Sequence, residues 1–177
     1  MKIRVIIPCF NEGKVVKKTY DRLTEILTEN SKTRRYYYDL LFIDDGSKDN
    51  TIEHIQHLAE YDEHVKYISF SRNFGKEAAM IAGFQHSVNV DAVVMIDGDL
   101  QHPPEFIPKM VEMYQQGFDQ VVAKRDRSGE NVARKTMSKL YYKLINSFVE
   151  DIKFSDGVGD FRLLSQRAVK SIVSLNE

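Results

Sequence analysis

The chain has 177 residues, and its 25 basic and 26 acidic side chains leave a formal net charge of −1. This length predicts one domain, residues 1–177, with a core large enough to be stable without disulfides. The near balance of charge argues against nucleic acid as a partner. The single cysteine, Cys9, has no internal partner for a disulfide and fits a reducing compartment. The sequence predicts neither a signal peptide nor a transmembrane helix.

Strand-like and helix-like segments alternate along the chain. Short apolar runs predict six strands, at residues 3–7, 40–43, 65–70, 92–96, 120–123 and 161–164. Apolar residues at helical spacing predict helices from about residue 12, after a cap at Asp49 or Asn50, at 76–88, 105–116 and 132–149, and at the end of the chain. Such alternation indicates an α/β domain with a mainly parallel sheet and helices on both of its faces.

Two carboxylates separated by one glycine follow the apolar run at 93–96. In an extended chain residues i and i+2 point to the same side, so Asp97 and Asp99 would project together from the carboxyl end of a buried strand. Open α/β sheets bind ligands at that end, and Gly98 leaves room for a ligand to approach. A divalent cation such as Mg²⁺ or Mn²⁺, accompanied by a substrate phosphate, would offset the repulsion. The alternative is an ordinary turn before a helix that begins near Pro103.

Polar pairs also follow the first three predicted strands: Asn11 with Glu12, Asp44 with Asp45, and Arg72 with Lys76. The first pair could line a ligand site, or it could cap the next helix and favour its first turn. The second pair could accept hydrogen bonds from a nucleobase or ribose, whereas a turn needs only one such carboxylate. The third pair suits a phosphate beside a helix start, or it lies in a solvated loop. Because parallel strands share one carboxyl edge, these pairs together predict a nucleotide-diphosphate pocket.

Five motifs carry a family resemblance: PCFNE at 8–12, IDDGSKDNT at 43–51, SRNFGKEAA at 71–79, DGDLQHPP at 97–104 and GVGDFRLLSQRAV at 157–169. In this order and at these intervals they resemble the family 2 glycosyltransferases of the GT-A fold, which is Rossmann-like. They are most similar to the branch that moves a sugar from a nucleotide donor to a polyprenyl phosphate. That branch includes dolichyl-phosphate mannose synthases and bactoprenol glucosyltransferases. Its members usually continue into a pair of transmembrane helices, which this sequence does not contain.

The resemblance implies a role for each matching residue. The nucleotide would be bound by Pro8, Phe10, Asn11, Glu12, Ile43, Asp44, Asp45, Arg72, Lys76, Asp97, Gly98 and Asp99. The metal, Mg²⁺ or Mn²⁺, would be held by Asp99 with help from Gln101. The acceptor phosphate would be bound by Arg125 and Arg134. The catalytic set would be Asp97, Asp99, Asp160 and Arg162. Phe10 stands where tyrosine is more usual, which keeps an aromatic face and loses a hydroxyl.

The implied reaction is inverting sugar transfer at the cytoplasmic face of the cell membrane, with UDP-glucose or UDP-N-acetylglucosamine favoured as donor. A lipid phosphate is already an anion, so it needs positive charge to position it more than it needs a base. No histidine is therefore expected to act as a catalytic base. In the helix predicted at 132–149, Lys135, Lys139 and Lys143 lie opposite an apolar stripe. This helix could lie on an anionic membrane, or it could be an ordinary surface helix.

Two other functions are compatible with the same motifs. The first is a family 2 enzyme that glycosylates a saccharide or another hydroxyl acceptor, which would need an acidic base near that acceptor. The second is a nucleotide-binding module without turnover, in which a metal carboxylate would be lost. Both Asp97 and Asp99 are present. A homo-oligomer is left open by the sequence.

Overall fold

The computed structural model describes residues 1–124 and 158–175. Arg125, Arg134 and the helix predicted at 132–149 lie outside the described residues. Their structure and their roles stay predictions. In the described part of the chain, no helix combines the length and the apolar character that a membrane span requires.

Residue contacts divide the chain into two compact units. The larger is formed by Met1–Val121 together with Asp160–Glu177, and the smaller by Val122–Gly159. The core and the candidate site described below belong to the larger unit. The expectation that all 177 residues form one domain stays a prediction.

The described residues form six strands, five α-helices and one 3₁₀ helix. The strands are β1 (Lys2–Cys9), β2 (Tyr37–Asp44), β3 (Val65–Ser69), β4 (Ala92–Met95), β5 (Gln120–Lys124) and β6 (Val158–Ser165). The α-helices are α1 (Val16–Arg34), α2 (Thr51–Tyr61), α3 (Lys76–Gln85), α4 (Ile107–Gln115) and α5 (Gln166–Ser174). The 3₁₀ helix, Pro104–Phe106, leads directly into α4.

The strands form one sheet in the order β3-β2-β1-β4-β6-β5. The first four strands of that order are parallel to one another, whereas β6 is antiparallel to β4. The predicted α/β fold with a mainly parallel sheet is confirmed. Because β6 runs in the opposite direction, its amino-terminal half lies at the edge where the parallel strands end. The register places Arg162 opposite Met95, next to the carboxyl end of β4.

Helices cover both faces of the sheet, as predicted. On one face, a core cluster joins Ile6 of β1 and Met95 of β4 to Phe84 of α3 and Val169 of α5. The other helices, α1, α2 and α4, contact one another through α1. The central strands are apolar on both sides because both sides are covered. The buried stripe of α1 is Val16, Thr19, Leu23 and Leu27, and it includes the hydroxyl-bearing Thr19.

Three predicted helices have different boundaries in the structure. The helix predicted at 105–116 is a 3₁₀ turn, Pro104–Phe106, followed by α4, Ile107–Gln115. The helix predicted from about residue 12 begins at Val16. Asn11 does not cap it, since its φ of 56° places it in the left-handed region. The carbonyl of Glu12 instead accepts hydrogen bonds from the N–H groups of Val15 and Val16 at 2.8 and 2.9 Å. The helix predicted at 76–88 ends at Gln85.

The cap of α2 involves both of the predicted residues. Asn50 occupies the N-cap position, but its side chain makes no capping hydrogen bond. The carboxylate of Asp49 makes a capping hydrogen bond instead, in which its Oδ1 accepts the N–H of Thr51 at 3.0 Å. Just after the end of α4, Gly117 adopts a φ of 99°, a conformation that glycine commonly adopts where a helix ends.

Candidate active site

A cavity of about 290 Å³ lies at the carboxyl edge of the parallel strands. Eight predicted nucleotide-binding residues line it: Pro8, Phe10, Glu12, Asp45, Lys76, Asp97, Gly98 and Asp99. Its remaining lining residues are Cys9, Asn73, Gly75 and Ala79, which the motifs contain but to which we assigned no role. The predicted convergence of four strand ends on one pocket is confirmed.

The loop after β1 is joined to the loop after β2 by hydrogen bonds. The backbone N–H of Asn11 donates to Ser47 Oγ at 2.9 Å, and the Asn11 side-chain oxygen accepts the N–H of Lys48 at 2.9 Å. The N–H of Glu12 donates to Thr51 Oγ1 at 2.8 Å. These bonds hold the loop that carries Phe10, whose ring is 42% exposed beside the cavity. Asn11 itself does not line the cavity, and its contact with a nucleotide stays a prediction.

The two carboxylates after β2 brace the neighbouring loops. Asp45 accepts the N–H groups of Phe74 and Gly75, at 2.7 and 3.0 Å, one on each oxygen. Asp44 is buried and accepts a hydrogen bond from the Ser69 hydroxyl at 2.9 Å. Asp45 therefore shapes the cavity wall by holding the segment before α3. Ile43 and Asp44 lie behind the wall, so a contact of either with base or ribose stays a prediction.

Arg72 lies outside the cavity lining and stacks on an exposed aromatic ring. Its guanidinium carbon lies 4.7 Å from the centre of the Phe74 ring, within the range of a cation–π contact. The Arg72 backbone packs against Gly46, where an added Cβ would come within 2.3 Å of it. A glycine is required at that position, because its φ is also 66°. The predicted phosphate contact of Arg72 is not tested by this arrangement.

The Asp97-Gly98-Asp99 turn is held from three sides. A Cβ on Gly98 would lie 3.1 Å from Cys9 Sγ and 3.2 Å from the Pro8 carbonyl, so only glycine fits without displacement. The buried hydroxyl of Thr19 donates to the Gly98 carbonyl at 2.6 Å. Downstream, Asp99 Oδ1 accepts the backbone N–H of Gln101 at 2.9 Å.

Gln101 follows a strained position in this turn. Leu100 has a φ of 59°, which is uncommon for a residue with a side chain. The Gln101 side chain is exposed and does not line the cavity. Its backbone orients Asp99, and its predicted contact with a metal stays a prediction.

The acidic residues of the cavity fit a metal that is only partly coordinated by protein. Within residues 1–124 and 158–175, no group of three or more His, Cys, Asp or Glu side chains is arranged so that it could hold a metal ion by itself. Burial raises the pKa of Glu12, and the neighbouring charges of Asp99, Asp49 and Asp97 raise it further. A cluster of carboxylate oxygens with an incomplete ligand set suits Mg²⁺ or Mn²⁺, which takes further oxygens from phosphate and water.

The side chain of Lys76 forms ion pairs with the carboxylates of both Asp97 and Asp160. Lys76 Nζ lies 2.5 Å from Asp97 Oδ1 and 2.8 Å from Asp160 Oδ2. Arg162 Nη2 lies 3.7 Å from the other oxygen of Asp160. Burial alone would lower the pKa of Lys76, but its bonds to Asp160 and Asp97 outweigh burial and raise it. The hydrogen bond from Lys76 in turn lowers the pKa of Asp160.

Sequence reasoning missed two residues beside this turn. His102 Nδ1 lies 3.5 Å from Asp97 Oδ2, and its ring centre lies 5.6 Å from that of Phe161. Its place in the DGDLQHPP motif was a usable signal, because it is the first side chain after Asp99 and Gln101, which were predicted to bind the metal. Thr19 is the other, and its only sequence signal is a hydroxyl within an apolar helical stripe.

Comparison with known proteins agrees with this geometry. The model of the family described as Glycosyl transferase family 2 matches residues 4–173. The chain is 48% identical to the putative glycosyltransferase CsbB of Bacillus subtilis, over 99% of this chain and 51% of that protein. It is 42% identical to the bactoprenol glucosyl transferase of Shigella phage SfX, over 100% of this chain and 56% of that protein. The chain thus spans about half the length of these relatives.

A solved structure shares the fold. The mannosyltransferase PcManGT from Pyrobaculum calidifontis, in complex with GDP-Man and Mn²⁺, superposes with a TM-score of 0.65 at 17% identity. The match covers 96% of this chain and 46% of that one. Together with the family match, the shared fold leads to one assignment: the chain belongs to glycosyl transferase family 2 and has the GT-A fold.

Proposed function

We propose that this chain is the catalytic part of an enzyme that transfers a sugar, with inversion, from a nucleotide-sugar to a polyprenyl phosphate. The main support is the carboxyl-edge cavity, which Asp97, Asp99 and Lys76 line, and at which Lys76 pairs with both Asp97 and Asp160 of β6. The relative from Shigella phage SfX, named a bactoprenol glucosyl transferase, supports the class of acceptor. The same name and the branch resemblance favour UDP-glucose or UDP-N-acetylglucosamine as the donor.

In the proposed donor complex, the nucleotide lies across the ends of β1 and β4. The exposed ring of Phe10 offers an aromatic face to the base. The backbone of Gly98 lines the cavity and would face the diphosphate, and Asp99, with Gln101, would hold the metal. Bound there, Mg²⁺ or Mn²⁺ would neutralise charge on the leaving diphosphate. Pro8, Glu12 and Asp45 form the surrounding wall.

The acceptor is proposed to approach from the side of β6. Asp160 is bound by Lys76, and the lowered pKa of its carboxyl makes it a weak proton acceptor at neutral pH. That suits a phosphate acceptor, which needs no deprotonation, better than a sugar hydroxyl. The acceptor phosphate would be positioned by Arg162 together with Arg125 and Arg134. Because the proposed acceptor is a membrane lipid, we propose that the reaction takes place at the cytoplasmic face of the cell membrane.

Thermal denaturation with nucleotides tests the donor and metal assignments. We expect UDP to raise the melting temperature more with Mn²⁺ than without it, and more than GDP does. A ligand at 100 times its Kd adds about 2.7 kcal/mol to the free energy of unfolding, which such a scan detects easily. Asp99→Asn should remove the metal-dependent increment while leaving the ligand-free melting temperature unchanged. An Asp99→Asn variant with the wild-type response to UDP and Mn²⁺ would contradict the metal assignment, and tighter binding of GDP would contradict the donor.

A transfer assay tests the acceptor. The protein should move radiolabelled glucose from UDP-glucose to undecaprenyl phosphate and give no product with soluble saccharides. Arg162→Ala should reduce transfer to the lipid and leave UDP binding intact, because Arg162 is not part of the cavity lining. Efficient transfer to a soluble saccharide with none to the lipid phosphate would favour the saccharide alternative instead.

A further inference from the structure

Lys76 occupies the position that a cationic ligand of this cavity would favour. It is the first residue of α3, and its ammonium group lies between Asp97 at the end of β4 and Asp160 on β6. Its side chain is 39% exposed, so it borders the cavity instead of being enclosed in the core. Each of its two carboxylate partners is also accessible, at 24% for Asp97 and 40% for Asp160. The contact is therefore one that a ligand can reach and replace.

The charge of Lys76 acts on the same space as the proposed metal. Glu12, Asp97 and Asp99 all line the cavity together with Lys76. A positive charge among these carboxylates offsets part of their negative potential, and it repels any further cation that enters alone. A diphosphate has the opposite effect on Lys76, because its oxygens compete with Asp97 and Asp160 for the ammonium group. Nucleotide and metal therefore act on Lys76 in opposite ways.

We infer that Lys76 is a displaceable counter-ion that makes metal binding depend on the arrival of the nucleotide diphosphate. In the ligand-free site it holds Asp97 and Asp160 together and disfavours a divalent cation. When a diphosphate enters, Lys76 turns to the phosphate oxygens and leaves Asp97, whose charge then favours the metal. This inference rests on the proposed function for the identity of the nucleotide, but not for the effect of Lys76 on a cation alone.

This role of Lys76 predicts effects of opposite sign on the binding of two ligands, Mn²⁺ and UDP. Loss of its charge should strengthen the binding of Mn²⁺ alone, because the carboxylates lose their resident cation. The same loss should weaken the binding of UDP alone, because a phosphate contact is removed. In the UDP complex Lys76 has already left Asp97, so its removal should strengthen Mn²⁺ binding only in the absence of UDP. The factor by which UDP strengthens Mn²⁺ binding should therefore fall, and by reciprocity so should the factor by which Mn²⁺ strengthens UDP binding. If Lys76 had only a structural role, its removal would weaken the binding of both Mn²⁺ and UDP.

The experiment is a titration of the protein with Mn²⁺, in which the free ion is followed by electron paramagnetic resonance, with and without UDP. Lys76→Met should bind Mn²⁺ alone about tenfold more tightly than wild type, within the usual range of coupling between sites. Lys76→Arg should behave as wild type, since it keeps the charge. Lys109→Met is the matched control, because Lys109 also pairs with a carboxylate, Glu112, at 3.1 Å, but lies outside the cavity lining. The Lys109→Met variant should bind Mn²⁺ with the same affinity as the wild type.

Several outcomes would overturn the inference. The clearest is a Lys76→Met protein that binds Mn²⁺ no more tightly than wild type, with a normal melting temperature. If Lys76→Met does not fold, Lys76→Gln supplies the same measurement with a polar side chain. If wild type shows no response to UDP, the proposed function fails, and the titration with Mn²⁺ alone still decides the role of Lys76. If Lys109→Met strengthened Mn²⁺ binding as much as Lys76→Met does, the effect would arise from the net charge of the protein. That result would also overturn the inference.

Discussion

Thr19 links helix α1 to the glycine between the two carboxylates. Its side chain is fully buried, and its hydroxyl donates to the Gly98 carbonyl across a separation of 79 residues. This bond fixes the peptide that precedes Asp99, so it acts on the proposed metal site without touching a ligand. Loss of this hydrogen bond should be destabilising, because it would leave the buried Gly98 carbonyl without a partner.

Replacement of Thr19 by valine keeps the shape and removes the donor. We expect Thr19→Val to lower the free energy of unfolding by about 1–3 kcal/mol and to weaken the Mn²⁺-dependent part of UDP binding. Thr19→Ser keeps the hydroxyl and should restore that metal-dependent part. Urea denaturation and calorimetric titration measure the two effects. If the valine variant binds UDP and Mn²⁺ as wild type does, Thr19 has no role in positioning Asp99.

A buried ion pair lies between the first two strands, where sequence reasoning placed nothing. Arg4 and Asp39 are register partners on β1 and β2, with Nε 2.6 Å from Oδ1 and Nη2 2.8 Å from Oδ2. Lys2 Nζ lies 3.0 Å from the same carboxylate. Burial alone would raise the pKa of Asp39, but its bonds to Arg4 and Lys2 outweigh burial and lower it.

The lowered pKa of Asp39 determines how the free energy of unfolding changes at acidic pH. In the unfolded chain this carboxyl takes up its proton near its ordinary pKa, about 4, whereas in the folded protein it does so at lower pH. Its contribution to stability is thus complete above about pH 5 and is lost as the pH falls through the folded pKa. Asp39→Asn should cost about 3–5 kcal/mol at pH 7, because it leaves a buried arginine unpaired. Urea denaturation from pH 7 to pH 3 should show a shallower acid loss in the variant. An identical pH profile would contradict this assignment.

At the scale of elements, the close approach of α3 to β1 positions Lys76 at the cavity. Gly83 makes this approach possible, since a Cβ there would lie 2.7 Å from Ile6 Cγ2. Ile6 is fully buried, so it has little room to move. The helix start at Lys76 therefore depends on a glycine two turns further along the same helix.

A methyl group at Gly83 should disturb this packing. We expect Gly83→Ala to lower the free energy of unfolding by about 1–3 kcal/mol through overpacking against Ile6. Combined with Ile6→Ala, which removes the clashing atoms, it should cost less than the sum of the two single changes. The three variants are compared by urea denaturation. Strict additivity would show that the two residues do not compete for the same space.

At the same scale, the antiparallel direction of strand β6 completes the site. The motif at 157–169 was expected to contain a strand, and the structure places that strand antiparallel to β4. A parallel strand would have carried Asp160 to the far edge of the sheet. The antiparallel direction brings its carboxylate to within 2.8 Å of Lys76 Nζ.

At the scale of the whole molecule, the proposed acceptor requires a membrane surface. The lysines predicted on one stripe, Lys135, Lys139 and Lys143, lie outside the described residues. Each basic residue near an anionic leaflet adds about 1 kcal/mol, so three should add about 3 kcal/mol, roughly a hundredfold in affinity. We expect the protein to sediment with phosphatidylglycerol vesicles at low salt, and changing all three lysines to glutamine to abolish this.

A control with the same loss of charge separates a local stripe from net charge. Lys32, Lys66 and Lys170 are exposed on other elements, and changing them together to glutamine should leave vesicle binding nearly intact. UDP binding should survive in both triple variants. Added salt should weaken vesicle binding of the wild type, because it screens the attraction. Equal losses in the two triple variants would contradict a membrane-facing stripe.

The sequence by itself determined the α/β class, the location of the strands and the family. Buried strands are visible as apolar runs, because both faces of a central strand are covered, as in β1 and β4. Polar clusters at strand ends predicted a shared pocket, because parallel strands have a common carboxyl edge. These inferences are local in sequence, or they follow from topology alone. Together with the family resemblance, which contributed Pro8 and Phe10, they predicted eight of the twelve residues that line the cavity.

Only the tertiary structure decided which of those side chains contact one another. The bonds of Thr19 to Gly98, Arg4 to Asp39 and Lys76 to Asp160 join residues that are far apart in the chain. No periodicity encodes such a pair, because its formation depends on the packing of several elements and on strand direction. The same packing shows Asp45 bracing a loop and Lys76 binding two carboxylates, and the predicted contacts of both residues with a nucleotide stay predictions.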